Sequence, residues 1–266
     1  MKQLMRANIV GFIFFLAALP SVYGLRLTDV NATIIPKEVR ILMKYYPQIV
    51  GFENNRLLFK DGTALLYDDG KQKSNKELLE NPDVQDQFYY HYPKGKLNTR
   101  TDCQQDAGRI RNEEFFRKIY GKTKAEVAKN LVQIVWCPKL VGQKIRVTSM
   151  NGVADALRKV SAELDEMPEY KVYLQNCGGT FNWRVINGTR RLSMHSFGMT
   201  IDLNAHFSDY WQWSCHCTNE DKAVTYKNRI PQKIVDVFEK HGFIWGGKWY
   251  HYDTMHFEYR PELLDN

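Results

Sequence analysis

His195, Asp202 and His256 are side chains of the kinds that hold a catalytic divalent cation, two imidazoles and one carboxylate. Catalytic zinc sites commonly take three protein ligands and leave a fourth position to water. A further carboxylate beside that water can accept its proton, and Asp253 precedes His256 closely enough in sequence to supply one. Two imidazoles and a carboxylate suit zinc, with manganese and iron served by similar donors. Singly, these residues are bland: a lone histidine in a loop is more often structural or solvated. Their chemistry depends on a fold that brings them together.

The two segments concerned are Ser193-Met194-His195-Ser196-Phe197-Gly198-Met199-Thr200-Ile201-Asp202 and Tyr252-Asp253-Thr254-Met255-His256-Phe257-Glu258, with Trp249 just upstream of the second. They carry every fixed letter of S-x-H-x-x-G-x-x-x-D followed by W-x-x-x-D-x-x-H-F-E. In this the chain resembles the zinc D-Ala-D-Ala carboxypeptidases and L-alanyl-D-glutamate endopeptidases, strongly only from about Ile145 onward. The resemblance implies a Hedgehog/D,D-peptidase-like α+β fold, an antiparallel sheet with flanking helices behind a family-variable N-terminal extension. It implies Zn2+ on His195, Asp202 and His256, and Asp253 as general base. The aspartate at that position leans towards the endopeptidase branch. The implied substrate is the peptide stem of peptidoglycan.

The same resemblance assigns Arg184, in Gly178-Gly179-Thr180-Phe181-Asn182-Trp183-Arg184, to the negative oxygen of the tetrahedral intermediate or to a substrate carboxylate. Arg190 and Arg191 compete for that role. Trp245-Gly246-Gly247-Lys248-Trp249 resembles a cleft wall, which would make Trp249 a substrate contact; its tryptophans equally suit a core. Ser193 either donates to substrate or braces the His195 loop. Glu258 shares a strand face with His256 and either orients an imidazole or sits exposed. His206, His216, His241 and His251 fall in no pattern. A non-catalytic zinc protein of the same fold is the alternative, and it has no need of both Asp253 and Arg184. A serine hydrolase built on Ser193 lacks the G-x-S-x-G elbow.

Lys2 and Arg6 before an apolar run, Ile9 to Leu19, and the exit Val22-Tyr23-Gly24 read as a signal peptide over residues 1–24, hence an exported, periplasmic or extracellular protein. The run is too short to span a membrane. Losing Lys2 and Arg6, with no acid lost, lowers the formal charge from +7 to +5. That mild excess suits an anionic wall polymer, and without a clustered basic stripe it gives no support for nucleic acid. The five cysteines, Cys103, Cys137, Cys177, Cys215 and Cys217, are expected to form at least one disulfide in an oxidising compartment. Cys215 or Cys217 is expected to pair with a distant cysteine rather than with its neighbour.

Composition divides the chain into a polar extension, residues 25–140, and a catalytic part, residues 141–266. In the extension, Asp61-Gly62 and Asp69-Gly70 read as turns around short strands Arg56 to Lys60 and Thr63 to Tyr67. Spacing predicts helix from Asn112 through Val135. Beyond it, helices are predicted over Val153 to Met167 and Ile230 to His241, and strands over Lys171 to Gln175, Thr200 to Leu203 and Met255 to Tyr259. On the last strand His256 and Glu258 share a face opposite Phe257.

Overall fold

Short runs of alternating apolar residues closed by turns open the structure, a computed structural model that describes residues 34–97, 105–217, 219–220 and 222–265. Helix α1 (Lys37–Tyr45) packs Val39 and Leu42 inward and is followed by an antiparallel sheet of β1 (Ile49–Glu53), β2 (Arg56–Phe59) and β3 (Ala64–Leu66). Helix α2 (Asn75–Glu80) starts at a capping box, in which Ser74 and Glu77 satisfy each other's backbone N–H groups. The expected signal segment and Cys103 lie outside the described residues. Among those residues no helix is long and apolar enough to cross a membrane.

The helix predicted from Asn112 to Val135 is three elements. Asn112 caps α3 (Glu113–Tyr120) by accepting from Phe115 N at 2.8 Å. Thr123 caps α4 (Lys124–Lys129). From Leu131 the chain turns into a strand, β4 (Leu131–Trp136), paired antiparallel with β5 (Gln143–Thr148) in a register that sets Ile134 opposite Ile145. The run Leu131-Val132-Gln133-Ile134-Val135 is short and β-branched, and its apolar spacing fits either period. The partner strand decides it. The boundary drawn at residue 140 falls in the turn between β4 and β5, and residues 34–266 cluster as one unit.

Helix α5 (Val153–Leu164) buries Leu157, Val160 and Leu164, as its spacing predicts, and ends before Met167. Lys171 to Gln175 is not a strand: Pro168 opens a helical turn that runs into α6 (Lys171–Leu174). Five alternating residues cannot outweigh that local start signal. A four-stranded antiparallel sheet follows, ordered β6 (Cys177–Gly179), β7 (Thr200–Asn204), β9 (His256–Tyr259) and β8 (Phe243–Trp245). Between its strands lie α7 (Trp211–Cys215) and α8 (Gln232–Lys240), and α9 (Pro261–Leu264) closes the chain. Helices mixed with antiparallel sheets make the architecture α+β.

Register fixes what each face of this sheet carries. Ile201 stands opposite Phe257, and Phe257 stacks on Phe238 of α8 at 3.8 Å between ring centres. This face is core. On the other face Asp202 stands opposite His256, and Thr200 opposite Glu258.

Cys215 and Cys217 are disulfide-bonded to each other, contrary to the expected long-range pairing. His216 at φ 49° turns the chain so that the two Cα atoms stand 5.2 Å apart, within bridging range. Both cysteines pack in a small aromatic cluster with Trp211 and Tyr252, whereas Cys137 and Cys177 are buried free thiols in the main core.

Candidate metal centre

Ser193 begins the first ligand segment. Its hydroxyl accepts from His195 N at 3.4 Å and so caps the helical turn Met194–Phe197. This is the bracing geometry, and Ser193 is buried in it. Gly198 ends the turn at φ 66°, and its carbonyl accepts from Thr148 N at 2.9 Å. A Cβ there would meet Leu131 Cδ2 at 2.7 Å, so this position requires glycine for both backbone angle and space. The tight turn aims His195 back over β7, which carries Asp202.

His195 Nε2 lies 3.1 Å from Asp202 Oδ2, and His256 Nδ1 lies 3.1 Å from Asp202 Oδ1. The ligand atoms of all three residues fall within 4.8 Å of one another. Atoms bound about 2.0–2.2 Å from one tetrahedral ion stand roughly 3.3–3.6 Å apart, so the cluster is close to the spacing a shared cation needs. The imidazole rings are nearly sealed, while the Asp202 side chain keeps 20% exposure and leaves an approach from solvent.

Behind His256 stands Glu258, fully buried, with Oε2 3.2 Å from His256 Nε2. The carboxylate accepts the Nε2 proton and leaves Nδ1 for the cation side. Burial acts to raise Glu258, but Arg111 outweighs it, helped by His256 and Arg260, and the carboxyl stays below its usual range. Arg111 Nη2 sits 2.6 Å from Glu258 Oε2, and Arg260 Nη1 sits 3.0 Å from Oε1. Sequence reading missed both arginines. A fully buried strand glutamate needs cationic partners, but nothing in the sequence says which.

Asp253 is held by its backbone. Its N–H donates to Gly246 O at 3.0 Å, its carbonyl accepts from His256 N at 3.2 Å, and it bridges Tyr210 across the chain. A Cβ on Gly246 would press on Asp253 O at 2.6 Å, which explains why small residues follow Trp245. Oδ1 of Asp253 is buried and has no hydrogen-bond partner. Burial, then the Asp202 charge, push the Asp253 carboxyl up to about 6. Asp202 moves the other way: burial acts to raise it, but the imidazoles, His195 first, hold it well below the usual carboxylate range. One carboxylate is fixed as an anion for ligation and the other is poised to exchange a proton.

Trp249 packs beside His256 with ring centres 5.5 Å apart, is buried, and spends its indole N–H on Ala107 O at 2.6 Å. Arg184 has its backbone tied into the His195 loop, donating to Ser196 Oγ at 3.1 Å and accepting from Ser193 N at 3.0 Å. Its guanidinium is exposed and reaches the carbonyl of Val185. Among the described residues the guanidinium that joins the cluster is that of Arg111, through Glu258. His251 faces away, between Asp106 and the Glu220 carbonyl.

A second acidic group, Asp68, Asp69 and Asp83, gathers around Lys73, whose Nζ lies 3.0 Å from Asp69 and 2.9 Å from Asp83. The lysine already fills the cation position.

Residues 187–259 match the family model described as D-alanyl-D-alanine carboxypeptidase. The match supports a peptidase family and takes in all three ligands, Ser193, Trp249, Asp253 and Glu258; Arg184 lies just before it. It covers a minor part of the chain. No curated protein and no solved structure matches. The His/Asp/His group agrees with the metal dependence general in that family. The residues fit a divalent cation on two observations: a donor set of two nitrogens and a carboxylate within one ion's reach, and an unpartnered buried Asp253 oxygen beside it.

Proposed function

We propose that this protein is an exported, zinc-dependent peptidase that hydrolyses peptidoglycan stem peptides. The observation that carries the reading is Asp253, an unpartnered buried carboxyl oxygen within electrostatic reach of His195, Asp202 and His256 and not among the ligands. A structural metal site has no use for such a group; a hydrolytic one does. The family match supports the peptidase class, and the apolar N-terminal run supports export.

His195, Asp202 and His256 would hold the cation, which supplies Lewis-acid polarisation of the scissile carbonyl and acidifies water. Glu258 keeps His256 oriented. Asp253 takes the proton of the attacking water and delivers it to the leaving amine. Arg184, on the rim of the His195 loop, is assigned to the substrate's negative oxygen. Ser193 is assigned to the substrate as well as to the loop it caps, and Trp249 to the wall that the substrate meets.

The test incubates purified stem peptides with the protein as prepared, after chelation, and with zinc restored, followed by mass spectrometry. Hydrolysis lost on chelation and regained with zinc is expected. Full zinc occupancy with every stem peptide intact would replace the reading by a non-catalytic zinc protein of the same fold.

A further inference from the structure

Two adjoining cavities, of about 310 and 300 Å3, share Arg191 as a wall. Four guanidinium groups line the second, those of Arg109, Arg111, Arg190 and Arg191, over an apolar surface that includes Phe116 and Met194. Two of the four are already matched. Arg109 holds Asp106 at 2.7 Å and Glu220 at 2.8 Å, and Arg111 holds Glu258 at 2.6 Å. The other two are not. Arg190 is exposed and forms no ion pair among the described residues. Arg191 has Nη2 3.6 Å from Glu220 Oε1, beyond hydrogen-bond range, and its buried Nε has no partner.

The carboxylates on this wall do not answer that charge. Glu113 is committed to Arg117 at 2.8 Å and to Leu192 N at 3.0 Å, and Glu80 points to solvent. An arginine removed from water without a carboxylate is costly, and its planar fork is matched by an incoming one. The position of the cavity says which. Met194, in its wall, is the neighbour of His195, and Arg111, also in its wall, grips the carboxylate that orients His256. The cavity therefore flanks both imidazoles. An extended peptide advances about 3.3–3.6 Å per residue, so an occupant here belongs to the chain being cut, one or two residues from the scissile bond.

We propose that this cavity is a carboxylate subsite, with Arg191 as its main donor and Arg190 at its mouth. It receives an acidic residue next to the scissile bond, whose methylenes lie on Phe116 and Met194. The proposal rests on the peptidase reading of the metal centre and sharpens it: the substrate is acidic beside the bond that breaks.

The experiment uses the full chain loaded with zinc and paired peptides that differ only in a glutamate or glutamine next to the cleaved bond. The unmodified protein should prefer the acid. Arg191→Gln should lower the acid-to-amide ratio of kcat/KM by about 10- to 100-fold, the range expected for one hydrogen-bonded charge, and Arg191→Lys by less. An unchanged ratio in Arg191→Gln overturns the subsite and leaves the peptidase reading standing. A second readout does not need turnover: glutarate titrated into the same proteins and followed by NMR should bind the unmodified protein, with binding lost in Arg191→Gln. If no peptide is cut but glutarate binds through Arg191, the subsite stands and the peptidase reading falls. Inorganic phosphate bound as tightly as glutarate through Arg191 would overturn the assignment to a peptide carboxylate.

Discussion

Arg111 and Glu258 form a buried ion pair at 2.6 Å that ties a loop far upstream of the ligand segments to the carboxylate behind His256. The Arg111 guanidinium also lies over the Trp249 ring at 5.4 Å, and Trp249 packs on His256. Loop, indole and carboxylate thus fix one imidazole from two sides. A ligand held this way meets the cation without first being ordered.

Arg111→Met should accordingly weaken metal binding by about 10- to 100-fold, the usual cost of losing an outer partner of a ligand. Breaking a buried pair from one side also costs on the order of 3–5 kcal/mol of stability; Arg260, 3.0 Å from the other oxygen, should keep the loss at the lower end. Metal titration and denaturant unfolding on the same protein check both. Unaltered metal affinity would make Arg111 a purely structural residue.

Replacement of Asp253 separates chemistry from ligation. Asp253→Asn is expected to keep its metal, because the carboxylate is not among the grouped ligands. Turnover should fall by about 10²- to 10⁴-fold, the usual worth of a general acid–base group. Metal analysis beside peptide hydrolysis decides the matter: loss of metal would move Asp253 among the ligands, and full activity would move the base elsewhere.

Gly198→Ala is a test of the ligand loop from the backbone. A left-handed alanine costs roughly 1–2 kcal/mol, and the new Cβ meets Leu131 Cδ2 at 2.7 Å. Thermal unfolding should show a loss at or above that range. Metal affinity should fall with it, because the same turn aims His195.

Acid stability should depend on Asp106. Burial acts to raise this carboxyl, but Arg109 and then His251 outweigh it and bring it down to about 2. A folded-state value below the unfolded one means that the stabilisation is complete above the unfolded value, about 3.9, and is lost as pH falls through 2. The contribution is on the order of 2 kcal/mol. Asp106→Asn should lower stability near neutral pH and flatten its fall between pH 4 and 2 in urea titrations. An equal acid slope in both proteins would contradict the assignment.

What the sequence determined by itself was the ligand set and the faces. His195, Asp202 and His256 could be singled out because donor chemistry and motif spacing are local, and the period of two on Met255 to Tyr259 placed His256 and Glu258 together. The helices Val153–Leu164 and Gln232–Lys240 were legible because each carries several turns of one-sided apolar spacing. Tertiary structure alone decided the rest. Leu131 to Trp136 is a strand because Gln143 to Thr148 lies beside it, and a pairing partner is not a property of the segment itself. Cys215 found Cys217 because a left-handed His216 folded the chain back while the other described cysteines were sealed in a different cluster. Arg111, Arg191 and Arg260 look like any other arginines in the sequence. Burial gives each its role, because a charge removed from water must be answered by whatever distant residue the fold sets against it.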